Sequence, residues 1–123
     1  MLLQEYISTL LHEHNCVIVP DFGGFVANYR SAVIEEYGKK IHPPSKSILF
    51  NPHLTTNDGL LGNYISIDQK VDYSQALTFI ADEVSGWNEK LANNERIEFG
   101  EIGFLYCKND QIQLSSRVKL IYS

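Results

Sequence analysis

The sequence predicts an α+β fold in which two helix-plus-β-hairpin halves of one chain pack against each other as an intrachain pseudo-dimer with one short β-arm. Three observations predict it. Apolar residues recur at helical spacing in three segments and at strand-like spacing between them. A displacement of 80 positions superposes Val17 on Ile97, Val19 on Phe99, Phe22 on Ile102, Gly23 on Gly103 and Phe25 on Leu105, and in each copy a helix leads straight into this unit. The chain has 123 residues, 44% hydrophobic and 20% charged, which suits one domain with a shared core.

The elements come in this order. Leu2, Leu3, Tyr6, Ile7, Leu10 and Leu11 share one face of a helix that ends near His14. Cys16-Val17-Ile18-Val19 is a β-branched run broken by Pro20-Asp21, and Phe22-Gly23-Gly24-Phe25-Val26 continues as strand. Its paired glycines mark a bulge or a close backbone approach. Val26–Ile34 and Lys39–Ile41 flank Tyr37-Gly38 as a hairpin, which would set Arg30 across from Lys39 and Lys40. Pro43-Pro44 imposes an extended stretch, and Ile48-Leu49-Phe50 reads as a short buried strand stopped by Asn51-Pro52.

Thr56-Asn57-Asp58 caps a helix bearing Leu60, Leu61, Tyr64 and Ile65. Asp72 or Ser74 caps a longer one, with Leu77, Ile80, Ala81, Val84, Trp87 and Leu91 on its apolar face. Ile97, Phe99, Ile102 and Leu105-Tyr106 read as strand, Asn109-Asp110 as a tight turn and Ile112–Leu114 as the return. The tail Arg117–Tyr122 alternates polar and apolar and suits an edge strand. The expected division is 1–56 for the first half and 57–123 for the second. The first half has one body helix fewer, and the helix from Asn57 to Ile67 is expected to serve both.

Charge narrows the function. Ten Lys+Arg against 15 Asp+Glu give −5, whereas a protein that coats DNA is normally basic because phosphate neutralisation supplies most of its affinity. All four basic residues of the first half, Arg30, Lys39, Lys40 and Lys46, fall in one segment. Two cysteines are too few for a disulfide framework and suit a reduced compartment. The longest apolar run is too short for a membrane span, and no signal segment opens the chain.

Motifs for chemistry are sparse. His12, His14 and Cys16 alternate across a helix end, a spacing that does not converge on a tetrahedral metal, so a polar terminus followed by a buried thiol is expected. His42 and His53 stand near prolines and read as surface residues; Cys16 and Cys107 read as buried structural thiols. No G-x-S-x-G, H-E-x-x-H or Walker A sequence occurs, and Gly23-Gly24 lacks the helix N-terminus a phosphate loop needs. Glu35-Glu36 and Asp82-Glu83 read as solvated charge. No catalytic residue, metal ligand or cofactor is expected.

The second half, from Gln75-Ala76 through Leu91 to Glu95-Arg96-Ile97 and Gly100-Glu101-Ile102-Gly103, resembles the HU/IHF family of bacterial architectural DNA-binding proteins. In the first half, Asp21-Phe22-Gly23-Gly24-Phe25, Pro43-Pro44-Ser45-Lys46 and Phe50-Asn51-Pro52 resemble the family's other motifs, with the β-arm between them. More closely, the chain is similar to the paired HU-like domains at the N-terminus of bacterial SPOR-domain envelope proteins, where a transmembrane helix and a peptidoglycan-binding domain come next. Related modules occur in eukaryotic centrosomal coiled-coil proteins. The resemblance implies a binding module in the cytoplasm, with any membrane or peptidoglycan contact made through regions not in this sequence.

The departures bear on which partner. Family arms wrap the minor groove with many cations and a wedging proline. Here the outer stretch is Ser31-Ala32-Val33-Ile34-Glu35-Glu36-Tyr37, acidic and without proline, and the second hairpin has no arm. The leading expectation is therefore protein interaction or self-assembly through Tyr29, Val33, Ile34 and Tyr37. The alternative is DNA contact through Arg30, Lys39, Lys40 and Lys46. The ordinary reading of those cations is charge that keeps an edge hairpin soluble. Trp87 reads as core.

Overall fold

In a computed structural model, the structure describes residues 1–30, 33–34, 41–42, 45–117 and 120–121. Helix α1 (Leu3–Leu11) turns into β1 (Cys16–Val19), and β2 (Gly23–Arg30) returns antiparallel to it. Two short strands, β3 (Val33–Ile34) and β4 (Ile41–His42), pair with each other, and β5 (Ser45–Asn51) runs back along β2. Helices α2 (Leu60–Gln69) and α3 (Tyr73–Ala92) come next. After β6 (Ile97–Glu98) a 3-10 turn over Gly100–Ile102 leads into β7 (Gly103–Lys108) and β8 (Gln111–Ser116). Strand β9 (Leu120–Ile121) crosses back to the first half and pairs with Ser45 and Lys46 of β5. The sheets run β1-β2-β5-β9, β3-β4 and β6-β7-β8.

The duplication is visible in the hydrogen-bond register. Val17 faces Phe25 and Ile18 faces Gly24 in the first copy; 80 positions on, Ile97 faces Leu105 and Glu98 faces Phe104. All five residue pairs of the repeat are buried in both copies. Beyond the shared unit the copies diverge. Phe25 pairs with Phe50, 25 positions away, whereas Leu105 pairs with Leu114, nine away, so the first hairpin is 16 residues longer. The short one closes on Asn109 and Asp110, both left-handed at φ 54° and 61°, as a two-residue hairpin turn requires.

One core joins the halves. Phe22 packs tilted against Trp87 at 5.2 Å and Phe25 against Phe99 at 5.1 Å, so rings of the first copy interdigitate with those of the second. Trp87 in turn meets Phe99 at 5.2 Å. Helix α2 packs against α3 of its own half and against α1 and β1 of the other, so it does serve both. The Tyr6 hydroxyl donates to Asp68 Oδ2 at 2.6 Å and accepts from Gln69 Nε2 at 3.2 Å, tying α1 to the end of α2.

Helix starts obey local chemistry. Asp72 and Gln75 form a capping box, with Gln75 Oε1 accepting the Asp72 N–H at 3.0 Å. Ahead of α2 the expected caps act one step early: Asn57 Oδ1 accepts from the Gly59 N–H and Asp58 Oδ1 from the Leu60 N–H, while left-handed Gly59 takes the cap position. The paired glycines mark close approach rather than a bulge, since the β1–β2 register is unbroken. A Cβ on Gly23 would run into the Phe50 ring, and one on Gly24 would lie 2.8 Å from Leu54 Cβ.

Several expectations are corrected. Leu2 is exposed because it precedes the first helical turn, and Ala81 is exposed because the buried stripe runs Ile80, Val84, Trp87, Leu91. Phe99 is buried but lies between β6 and the 3-10 turn rather than in a strand. Leu49 points away from the core because its neighbours Ile48 and Phe50 face inward. Cys16 and Cys107 are half-buried, not buried: Cys16 opens β1 off the face of Val17 and Val19, and Cys107 lies near the turn end of its hairpin. Arg30 stands opposite Ser45 and not opposite Lys39 and Lys40, because the register is set by Phe25 on Phe50 and Ala27 on buried Ile48.

Candidate binding surfaces

The arm root is built on the longest ladder among the described residues, β2 with β5, whose inner end is anchored by Phe25, Ala27 and Ile48. Beyond that anchor the ladder leaves the core. Tyr29 is 47% exposed and stands directly opposite Lys46, with Arg30 opposite Ser45. Val33 and Ile34 lie in β3, across from His42 and Ile41. The ladder thus sets Tyr29 and Lys46 at one register position and Arg30 at the next, opposite Ser45. Tyr37, Lys39 and Lys40 lie outside the described residues. On the outer face of the ladder, Leu49 is 55% exposed beside its cross-strand partner Val26.

The second hairpin presents a different surface. The Arg96 and Arg117 guanidiniums lie 4.7 and 5.4 Å from the centre of the Phe104 ring, and each pairs with Glu98, at 3.2 and 3.0 Å. These residues were missed from sequence, because Arg96 precedes β6 and Arg117 follows β8, and only the pairing of both strands with β7 brings them to Phe104.

Among the described residues, a pair of clefts beside the core is related by the same displacement of 80. One is lined by Pro20, Asp21, Ala81, Val84, Ser85 and Asn88; the other by the corresponding Gly100, Glu101, Met1, Gln4, Glu5 and Ser8. Each helix therefore packs across the turn of the opposite copy, the reciprocal contact that a two-fold dimer makes. In the second cleft, His12 Nε2 meets Glu101 Oε1 at 3.0 Å and the Ser8 hydroxyl donates to the same oxygen at 3.2 Å.

His12 is thus engaged with Glu101, and no group of three or more metal-binding side chains occurs among the described residues. His53 is exposed. The Cys16 thiol is pushed up from its ordinary value by burial and then by the Asp58 charge, so it is a poor nucleophile at neutral pH. Among the described residues no helix is long and apolar enough to cross a membrane.

Two family models match the chain in succession: CCDC81-like prokaryotic HU domain 1 over residues 1–58 and CCDC81-like prokaryotic HU domain 2 over residues 59–115. This is a pair of tandem HU-like domains. HU-like domains are in general noncatalytic binding modules for nucleic acid or protein, and neither matched model describes an enzyme. No curated protein and no solved structure gives a significant match. Within the HU-like pair, the reciprocal helix-on-turn clefts and the shared aromatic core give the pseudo-dimer its physical content: each domain supplies what the other lacks.

Proposed function

We propose that this HU-like pair acts by protein association, with a partner protein or with further copies of itself, as a noncatalytic module on the cytoplasmic side of an envelope- or division-associated protein. The observation that carries this reading is the asymmetry of the two hairpins. A grip on DNA by two arms needs both, and the second hairpin turns at once on Asn109 and Asp110. The remaining arm carries Glu35-Glu36 in its outer stretch, on a chain of net charge −5. Tyr29, Val33, Ile34 and Tyr37 form the contact surface in this proposal, and the chain divides functionally into 1–56 and 57–123.

A second reading has its own support. HU-like domains include nucleic-acid binders, and Arg30 and Lys46 belong to successive register positions of the β2–β5 ladder, with Lys39 and Lys40 between them in the sequence. This reading assigns those four cations to phosphate contacts. The two readings separate in a salt titration with duplex DNA. Protein association predicts no binding above the nonspecific level at about 50 mM salt. DNA binding predicts an affinity that falls roughly a hundredfold between about 50 and 200 mM salt, as four phosphate contacts imply, and collapses in Lys39→Glu/Lys40→Glu. A salt-steep mobility shift removed by that double variant overturns the first reading.

A further inference from the structure

We infer that the cleft between α1 and the 3-10 turn receives the basic arm segment of a second copy, so that copies of this chain associate head to tail. The inference rests on the self-association form of the proposed function and names its two surfaces. The cleft encloses about 670 Å³, within the ~300–1,000 Å³ of ordinary binding pockets. At its rim Met1 and Leu2 are 61% and 58% exposed, two of the large apolar side chains left uncovered among the described residues.

The lining carries three carboxylates, Glu5, Glu98 and Glu101, and no lysine or arginine. Glu101 is engaged by His12 and Glu98 by Arg96 and Arg117, which leaves Glu5 without an ion-pair partner among the described residues. Gln4 also lines the cleft, and its Oε1 is buried without a hydrogen-bond partner among the described residues. A buried acceptor in that state calls for an N–H donor. The occupant that fits is apolar in part, cationic and rich in N–H donors.

The chain itself carries such a segment. Between positions 29 and 46 it places Arg30, Lys39, Lys40 and Lys46 against two acids, with Val33 and Ile34 between them. The companion cleft supplies an internal contrast. Val84 stands there in place of Gln4 and Ser85 in place of Glu5, and Asp21 is its one charged lining residue. Only the α1 cleft combines an open carboxylate with an orphaned acceptor. Because arm and cleft are different surfaces of one chain, their contact is heterologous and propagates into a ring or filament rather than closing as a two-fold dimer.

Sedimentation velocity on the full chain over a wide concentration range tests this. The expected result is growth beyond a dimer, with association weakened at least tenfold in Glu5→Lys and likewise in Lys39→Ala/Lys40→Ala. Each variant keeps one intact surface, so an equimolar mixture of the two stops at a heterodimer. Assembly unchanged by Glu5→Lys but lost in the lysine variant overturns the cleft and leaves arm-mediated self-association standing. Assembly lost in Glu5→Lys but unchanged in the lysine variant overturns the arm as occupant. A chain that stays monomeric throughout overturns both the inference and the self-association reading beneath it.

Discussion

Tyr6 illustrates how one polar atom is placed in the core. Its ring is fully buried and packs edge-on against Tyr64 at 5.8 Å, while its hydroxyl reaches Asp68 and Gln69 at the end of α2. Burial foremost, and the Asp68 carboxylate next, favour the neutral phenol and raise its pKa above the ordinary 10.0. A group whose folded pKa is raised binds its proton more tightly in the native state. Its stabilisation is complete below about pH 10 and is lost as the pH climbs through the folded value. Tyr6→Phe should lower stability by about 1 kcal/mol at pH 7, as removal of one hydrogen bond does, and should flatten the alkaline limb of the stability profile. Urea unfolding at about pH 7 and about pH 10.5, on either side of the ordinary phenol value, measures both.

At the scale of the element, the repeated strand–Gly–aromatic unit tolerates no side chain at its glycine, for different reasons in the two copies. Gly23 has an ordinary backbone and is crowded by the Phe50 ring, whereas Gly103 sits at φ 134° with the Ser115 carbonyl oxygen where a Cβ would go. A ring can swing aside; a backbone carbonyl in the β7–β8 ladder cannot. Gly103→Ala should therefore cost about 2–3 kcal/mol, and Gly23→Ala less. Thermal unfolding of the two variants side by side gives the order, and a larger loss at Gly23 would contradict the argument.

For the whole molecule, the decisive contacts cross between the halves. Trp87, the single tryptophan, lies against Phe22 of the other domain. Fragments 1–58 and 59–123 should each be largely unfolded alone, because each leaves its helix and aromatic faces open to water, and an equimolar mixture should regain helicity. The Trp87 emission should shift to the blue only on mixing. A fragment 59–123 that folds alone with buried Trp87 would show that the second domain has a complete core of its own. The intact chain should unfold in one transition.

The duplicated unit, most of the apolar stripe of α3, Asp72 as one of two candidate caps and the Asn109–Asp110 turn were legible in the sequence because each depends on local spacing or on one residue's backbone preference; the Gln75 half of the capping box and the exposure of Ala81 were not. The body of the arm root was partly legible: Tyr29 and Lys46 could be named, but the Arg30–Ser45 pairing could not. Register depends on which apolar residues of two distant strands meet in the core, here Phe25 on Phe50 and Ala27 on Ile48. The paired clefts were wholly illegible. They form only when each helix lies across the turn of the opposite domain, so the juxtaposition of Gln4 and Glu5 with Glu98 and Glu101, distant in the chain, is a property of the packed pseudo-dimer. Local chemistry settled what the elements are; burial of one common interior settled which of their surfaces stand together.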